Sequence, residues 1–237
     1  MPSDPHGLGF DHLEFDPERF SGVARVFPLP APSLFPRTLV PLHVFEERYL
    51  ELMHDALDSD GLIAMAVLKP GWEIDYASRP PVEPIACLGK IVTHHRLENG
   101  RYNTLLAGVS RVRLLEEIEP PRAFRRARVD LLAEQEPEAS EPGVAELQEQ
   151  LIEAFREALP HGEPPEPLMR AFQGDLPLGL LADLAAQTLP MDGRVKVSLL
   201  ADPSAIDRAR KVLAALASGG EPGGRLDPPS PPPFSEN

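Results

Sequence analysis

Two histidines, one thiol and a few clusters of charge are the groups in this 237-residue chain that could do chemistry. His94 and His95 are adjacent in the run Cys87-Leu-Gly-Lys-Ile-Val-Thr-His-His-Arg-Leu97. Neighbours on a strand point to opposite faces, so the pair cannot readily chelate one metal ion. The expectation is one half-buried imidazole and one solvated one. Neither Cys87 nor a carboxylate completes a recognisable ligand set, so no metal and no other cofactor is expected. As a nucleophile Cys87 would need a histidine and an electropositive niche. Among Ile85, Ala86 and Leu88 it reads as a buried, inert thiol, and as the sole cysteine it excludes an internal disulfide. No Gly-x-x-x-x-Gly-Lys-Ser/Thr loop is present to cradle nucleotide phosphates.

Charge offers two further candidates. Glu46-Glu47-Arg48 opens a helical pattern, where carboxylates favour the helix dipole. Arg111, Arg113, Arg122, Arg125, Arg126 and Arg128 form the one basic cluster of a chain whose net charge is −14. Arg111, Arg113, Arg126 and Arg128 read either as a solvated strand face that discourages edge pairing or as a binding face for acidic peptide or RNA. The overall acidity disfavours a general nucleic-acid or anionic-membrane binder, because phosphates must be neutralised by Lys and Arg.

The elements that would position these groups follow from pattern. Between Val26 and Val44, Pro28, Pro30, Pro32, Pro36 and Pro41 forbid a helix and leave short strands broken by turns. From Phe45 the period changes: Phe45, Tyr49, Leu52, Met53, Ala56 and Leu57 recur at helical spacing up to Asp60-Gly61. Leu62–Leu68 is a continuous apolar run that suits a fully buried strand. Pro70–Pro84 is a long loop holding Trp72 and Tyr76, the kind of segment that often binds. Asn99-Gly100 between two β-prone runs predicts a type I′ hairpin. Arg111–Ile118 and Phe124–Leu132 alternate as strands, with Val112 and Leu114 inward and Arg111 and Arg113 outward. Glu134–Pro142 is an acidic, proline-bearing connector. Helical spacing then predicts a helix from Val144 to Leu159, a short one around Pro167–Phe172, one starting at Asp175-Leu-Pro177, one at Arg194–Leu200 and a last one capped by Asp202-Pro203. That last helix is expected to bury Ile206, Ala209, Leu213 and Leu216.

Phe27-Pro-Leu, Leu34-Phe-Pro and the ordered run Pro41-Leu-His-Val-Phe-Glu-Glu-Arg-Tyr49 together resemble the amino-terminal domain of the Lon protease family. Gly89-Lys-Ile, Asn99-Gly-Arg-Tyr102 and Gly108-Val-Ser-Arg-Val-Arg113 extend the resemblance in the same order. It implies an α+β fold: a PUA-like β pseudo-barrel with one inserted helix, then a small helical bundle. The organisation expected is a flexible arm at 1–22, the barrel at 23–134, the bundle at 141–217 and a disordered Pro/Gly-rich tail at 218–237. Phe45, Glu46, Arg48 and Tyr49 match the family motif, and the resemblance makes them structural, with Glu46 and Arg48 tying the helix to the barrel.

The function the resemblance implies is recognition of polypeptide, with unfolded or damaged protein as client and a separate AAA+ protease as partner. The family's catalytic parts do not appear. Its serine motif is absent, and Lys69, Lys90, Lys196 and Lys211 stand in no context matching its lysine, so the chain reads as non-catalytic. Phe35, Trp72 and Tyr76 are the candidate contacts for a client, by strand addition or in a groove. The competing class is an RNA-binding module on the Arg111–Arg128 face, since PUA relatives bind RNA. No apolar run approaches the ~20 residues of a membrane span. The amino terminus has neither a basic start nor an apolar stretch, so the cytoplasm is the expected location.

Overall fold

The computed structural model describes residues 15–76, 78–119, 122–159 and 176–218. Most of the expected arm and tail, and the short helix around Pro167–Phe172, lie outside the described residues. Six strands and five helices are described: β1 (Val23–Leu29), β2 (Leu39–Val44), α1 (Glu47–Leu57), β3 (Leu62–Val67), β4 (Ile85–Arg96), β5 (Tyr102–Glu117), β6 (Arg125–Leu132), α2 (Val144–Ala158), α3 (Leu178–Thr188), α4 (Gly193–Leu200) and α5 (Ala205–Ala217). The fold is α+β.

The sheet runs β2-β5-β4-β3-β1-β6, and β6 pairs again with β5. β5 makes this closure possible because it is long. Its first half holds β2 (Leu39↔Ala107 to Val44↔Tyr102), and its second half holds β6 (Arg111↔Leu132 to Leu114↔Val129). Five strands therefore close into a barrel, with β2 left outside it. β1 and β3 are parallel, and α1 lies in the crossover between them.

A barrel of so few strands has a narrow lumen, and small residues fill it: Ala24, Ala64, Ala66, Ala86 and Ala127 beside Val26, Leu88, Val112 and Val129. The alternate residues face outward onto helices. Phe27 stacks on Tyr49 of α1 at 4.1 Å between ring centroids, and Ile63, Met65 and Val67 join Leu52, Met53 and Ala56 in the same cluster. β3 is thus buried on both faces, which is why Leu62–Val67 carries no polar alternation. Arg25 anchors the other end of α1, with Nε 2.5 Å from Asp55 and Nη1 2.7 Å from Asp60.

The segment Leu34–Thr38 lies flat across β4 and β5. The Arg37 amide donates to the Gly108 carbonyl at 2.8 Å, and the Gly108 amide donates to the Thr38 carbonyl at 2.9 Å. A Cβ on Gly108 would sit 2.0 Å from the Phe35 carbonyl oxygen, so only glycine admits this approach.

The helical half meets the barrel through one buried ion cluster. Arg111 of β5 reaches Asp183 of α3 at 2.6 Å and Glu134 of the connector at 3.2 Å. Arg208 of α5 lies 3.2 Å from Asp183 and also binds Glu134. The apolar cluster on the outer face of the barrel continues without a break into Leu151, Phe155, Leu181, Ala185, Leu199 and Val212.

Local readings differ from the structure at four places. Asn99 does not take positive φ; only Gly100 does, at 82°, so the hairpin is a type I turn followed by a glycine bulge. The cap of α5 is Ser204, which accepts from the Asp207 amide, while Asp202 precedes it and pairs with Lys211 at 2.6 Å. α5 buries Ala205, Arg208, Ala209 and Val212, a face rotated from the apolar reading because Arg208 must point inward to Asp183 and Glu134. His94 and His95 are both exposed, since their end of the β4–β5 hairpin projects beyond the barrel.

Candidate functional site

A cleft of ≈ 190 Å³ opens where β1 and β6 part. Their pairing ends at Val26↔Arg125, and β1 continues alone on that side through Pro28. The Leu29 carbonyl accepts from the Leu68 amide, so alternation turns the missing N–H of Pro28 toward this unpaired side, where it costs no ladder bond. Three segments close the cleft: the first turn of α1, the loop after β3 and the residues leading into β6.

The loop turns at Gly71 (φ 90°) into a single 3-10 turn, Trp72–Asp75. Trp72 packs edge-on against Tyr76, with ring centroids 5.5 Å apart. The Tyr76 hydroxyl donates to Glu46 Oε1 at 2.7 Å. Glu46 occupies the N-cap of α1 but makes no cap bond with its side chain. Its carboxylate instead holds Arg48, with Oε2 3.0 Å from Nε and 2.9 Å from Nη2. The Arg48 guanidinium lies between two rings, 4.7 Å from the centroid of Tyr49 and 4.8 Å from that of Tyr76. Burial, and then the Glu46 carboxylate, push the Tyr76 phenol up to about 12, so this hydroxyl stays a donor at any physiological pH.

The opposite wall is fixed to the same loop. Arg125 Nη1 donates to the Pro80 carbonyl at 2.7 Å, and Arg79 Nη2 donates to the Arg122 carbonyl at 2.7 Å. Arg79 and Arg125 share Glu117. Arg122 reaches across to Asp55 of α1. Phe124 is buried, and with Pro28, Leu68 and Pro80 it gives the cleft an apolar side.

The candidate residues separate in the structure. Trp72 and Tyr76 are half-buried in the loop beside the cleft, and Ile74 at the loop tip is 89% exposed. Phe35 is 0% exposed: it packs over β4 and β5 beneath the helical half and offers no surface to a ligand. Arg111 is 2% exposed and committed to Asp183, so the four arginines form no common face. Arg113 is exposed, Arg126 is half-buried, and Arg128 pairs with Glu116 at 3.0 Å. Phe45 lies at the surface under Arg101, and Tyr49 is in the core against Phe27. His43 bonds to Asn103 at 2.7 Å. Burial pushes the Cys87 thiol far above its ordinary value, away from the thiolate a nucleophile needs. Among the described residues no group of three or more His, Cys, Asp and Glu could hold a metal ion, and no helix is long and apolar enough to cross a membrane.

Sequence reasoning passed over Arg79 and Phe124 and gave Tyr49 no binding part. Each comes from a different segment, and only the parting of β1 from β6 brings them together.

The ATP-dependent protease La (LON) substrate-binding domain family matches residues 23–218. The Lon protease of Dictyoglomus thermophilum is 26% identical over 196 residues, 82% of this chain and 24% of that protein. The Lon protease of Desulfosudis oleivorans is 24% identical over 195 residues, 81% of this chain and 23% of that protein. The chain thus spans about a quarter of the length of these curated relatives. Among solved structures, a Lon N-terminal domain protein from Xanthomonas campestris has a TM-score of 0.60 at 18% identity, covering 81% of this chain and 97% of that one. The N-terminal domain of Mycobacterium avium complex Lon protease has a TM-score of 0.63 at 18% identity, covering 82% and 98%.

Proposed function

This chain belongs to the Lon substrate-binding domain family, and from that membership we propose that it is a polypeptide-recognition module that binds clients without acting on them chemically. The observation that carries the proposal is the family match across residues 23–218, which takes in the barrel and the described helices together. The matched region is the substrate-binding part of the family, which is non-catalytic. The clients are unfolded or damaged chains, and the module hands them to a separate ATP-dependent protease. In this reading the barrel (23–134) makes the contact and the bundle (141–217) buttresses it.

The contact surface is the cleft with its flanking loop. Trp72, Tyr76 and Ile74 present an apolar rim, and Pro28, Leu68, Pro80 and Phe124 an apolar wall. RNA binding on the strand arginines is the poorer reading, because Arg111 is buried and Arg128 is paired.

A fluorescence-anisotropy titration against a labelled unfolded polypeptide, competed with short single-stranded RNA at low and high salt, tests this. Salt-tolerant binding that RNA does not displace is expected, weakened severalfold by Trp72→Ala. Binding to RNA alone, falling steeply with salt, would move the function to the arginines.

A further inference from the structure

Among its described residues, the cleft carries a charge opposite to that of the chain. Against a net charge of −14, the described lining contains Arg48, Arg79, Arg122 and Arg125 and neither Asp nor Glu. The carboxylates that orient these arginines, Glu46, Glu117 and Asp55, are not part of the lining. A guanidinium has five N–H donors. Arg48 uses Nε, Nη1 and Nη2 for Glu46 and the Tyr76 carbonyl, and Arg79 uses Nη1 and Nη2 for Glu117 and the Arg122 carbonyl. Among the described residues, each keeps donors for a further acceptor.

Tyr49 makes the second observation, independent of the arginines. It lines the same cleft, is 5% exposed, and its hydroxyl has no hydrogen-bond partner among the described residues. A buried hydroxyl left unpaired is unfavourable, and a ligand oxygen in the cleft would satisfy it. Burial also pushes the Tyr49 phenol well above its ordinary value, so it remains a donor. Arg48 and Tyr49 are held in place whether or not a ligand is bound, by the stacking on Tyr76 and on Phe27.

An unpaired donor and several oriented guanidinia, with no acid among the described lining residues, call for an anion. The apolar side formed by Pro28, Leu68, Pro80 and Phe124 calls for one carried on an apolar stem, which a bare inorganic ion lacks. We infer that the cleft is a carboxylate subsite of the polypeptide-binding surface: a peptide carboxylate accepts from the Tyr49 hydroxyl and from Arg48 and Arg79 while its stem lies on Leu68 and Phe124. The inference rests on the polypeptide reading for the nature of the ligand. The carboxylate is either an Asp or Glu side chain or a free carboxyl terminus.

One unstructured, apolar-rich labelled peptide, made in separate forms, tests this. The forms carry an internal Glu with an amidated end, Gln with an amidated end, and Gln with a free carboxyl terminus. A carboxylate form is expected to bind on the order of tenfold more tightly than the Gln-amide form, and which one does so identifies the source. The advantage should vanish in Tyr49→Phe and in Arg79→Gln. Tyr49→Phe removes a hydroxyl that bonds to none of the described residues, so its melting temperature should be unchanged or raised, which separates lost binding from lost folding. Equal binding of all forms would overturn the inference and leave polypeptide recognition standing. An NMR titration with N-acetylglutamate probes the subsite without a polypeptide. Saturable shifts of arginine Nε–H signals that Tyr49→Phe abolishes, with no peptide bound in any form, would keep the carboxylate subsite and remove the polypeptide reading. No response to any probe would overturn both.

Discussion

Arg111 of β5 grips Asp183 of α3 with two guanidinium nitrogens, Nη2 at 2.6 Å from Oδ1 and Nη1 at 3.2 Å from Oδ2, and both side chains are shielded from water. The same guanidinium donates through Nε to the Leu200 carbonyl at the end of α4. One barrel residue therefore engages two helices, and Arg208 of α5 completes the cluster on Asp183.

Removing Asp183 leaves Arg111 and Arg208 buried with the partly exposed Glu134 as their remaining ion-pair partner among the described residues. Breaking a buried pair by deleting one partner costs about 3–5 kcal/mol. Asp183→Ala should lose that much in urea unfolding. A loss below about 1 kcal/mol, the range of exposed pairs, would mean that water reaches the cluster.

Gly108 and Gly89 make a contrast within one sheet. A methyl at Gly108 meets the Phe35 carbonyl oxygen at 2.0 Å, a backbone atom that cannot turn away. A methyl at Gly89 meets Leu34 Cδ2 at 2.7 Å, the end of a flexible side chain. Overpacking costs about 1–3 kcal/mol or more. Gly108→Ala should sit at or above the top of that range and Gly89→Ala near the bottom. Equal melting temperatures for the two variants would contradict the flat lie of Leu34–Thr38 on β4 and β5.

Acid should destabilise the fold through named carboxylates. Burial acts to raise the pKa of Asp55, but hydrogen bonds from Arg25 and Arg122 outweigh it and hold the group below its ordinary value. Asp202 is held low in the same way by Lys211 and the Ser204 amide. A depressed folded pKa contributes stability that is present above the unfolded value of about 4 and is lost as pH falls through the folded one. Urea midpoints should therefore hold steady from neutral pH to about 5 and fall below about 4. Asp55→Asn should start lower at neutral pH and fall less on acidification. An unchanged acid slope in that variant would show that Asp55 carries none of the effect.

The barrel was legible because its signals are local. Leu62–Val67 had to be buried on both faces, the period changed at Phe45, and Gly100 marked a turn whichever type it proved to be. What was not legible depends on what covers a face. Alternation put Arg111 opposite Val112, as it is, but a strand pattern cannot say that α3, α4 and α5 lie over that side. Helical spacing has no signal that marks Asp183 or Arg208 as buried, and the inward turn of Arg208 rotated the buried face of α5. Phe35 among prolines looked like a surface aromatic because the flat lie of Leu34–Thr38 on Gly89 and Gly108 is a long-range fact. The cleft is hardest of all: Tyr49, Arg79 and Arg125 are neighbours only through the parting of β1 and β6.

Tyr76 decides whether the loop is a fixed rim or a loose strap. Its hydroxyl bond to Glu46 is charge-assisted and partly buried, and such bonds contribute about 1.5–3 kcal/mol when shielded. Partial exposure sets the expected global cost of Tyr76→Phe near 1 kcal/mol. The ring remains, so Trp72 keeps its edge contact and Arg48 its stacking. Only the tether between the loop and the start of α1 is cut. Amide hydrogen exchange should therefore quicken across residues 72–79 while β3 and β4 keep their protection, because local opening draws on the contacts of that segment alone. Polypeptide affinity should fall severalfold through the cost of ordering the rim on binding, less than in Trp72→Ala, which deletes the contact itself. Faster exchange with affinity unchanged would place the client away from this loop.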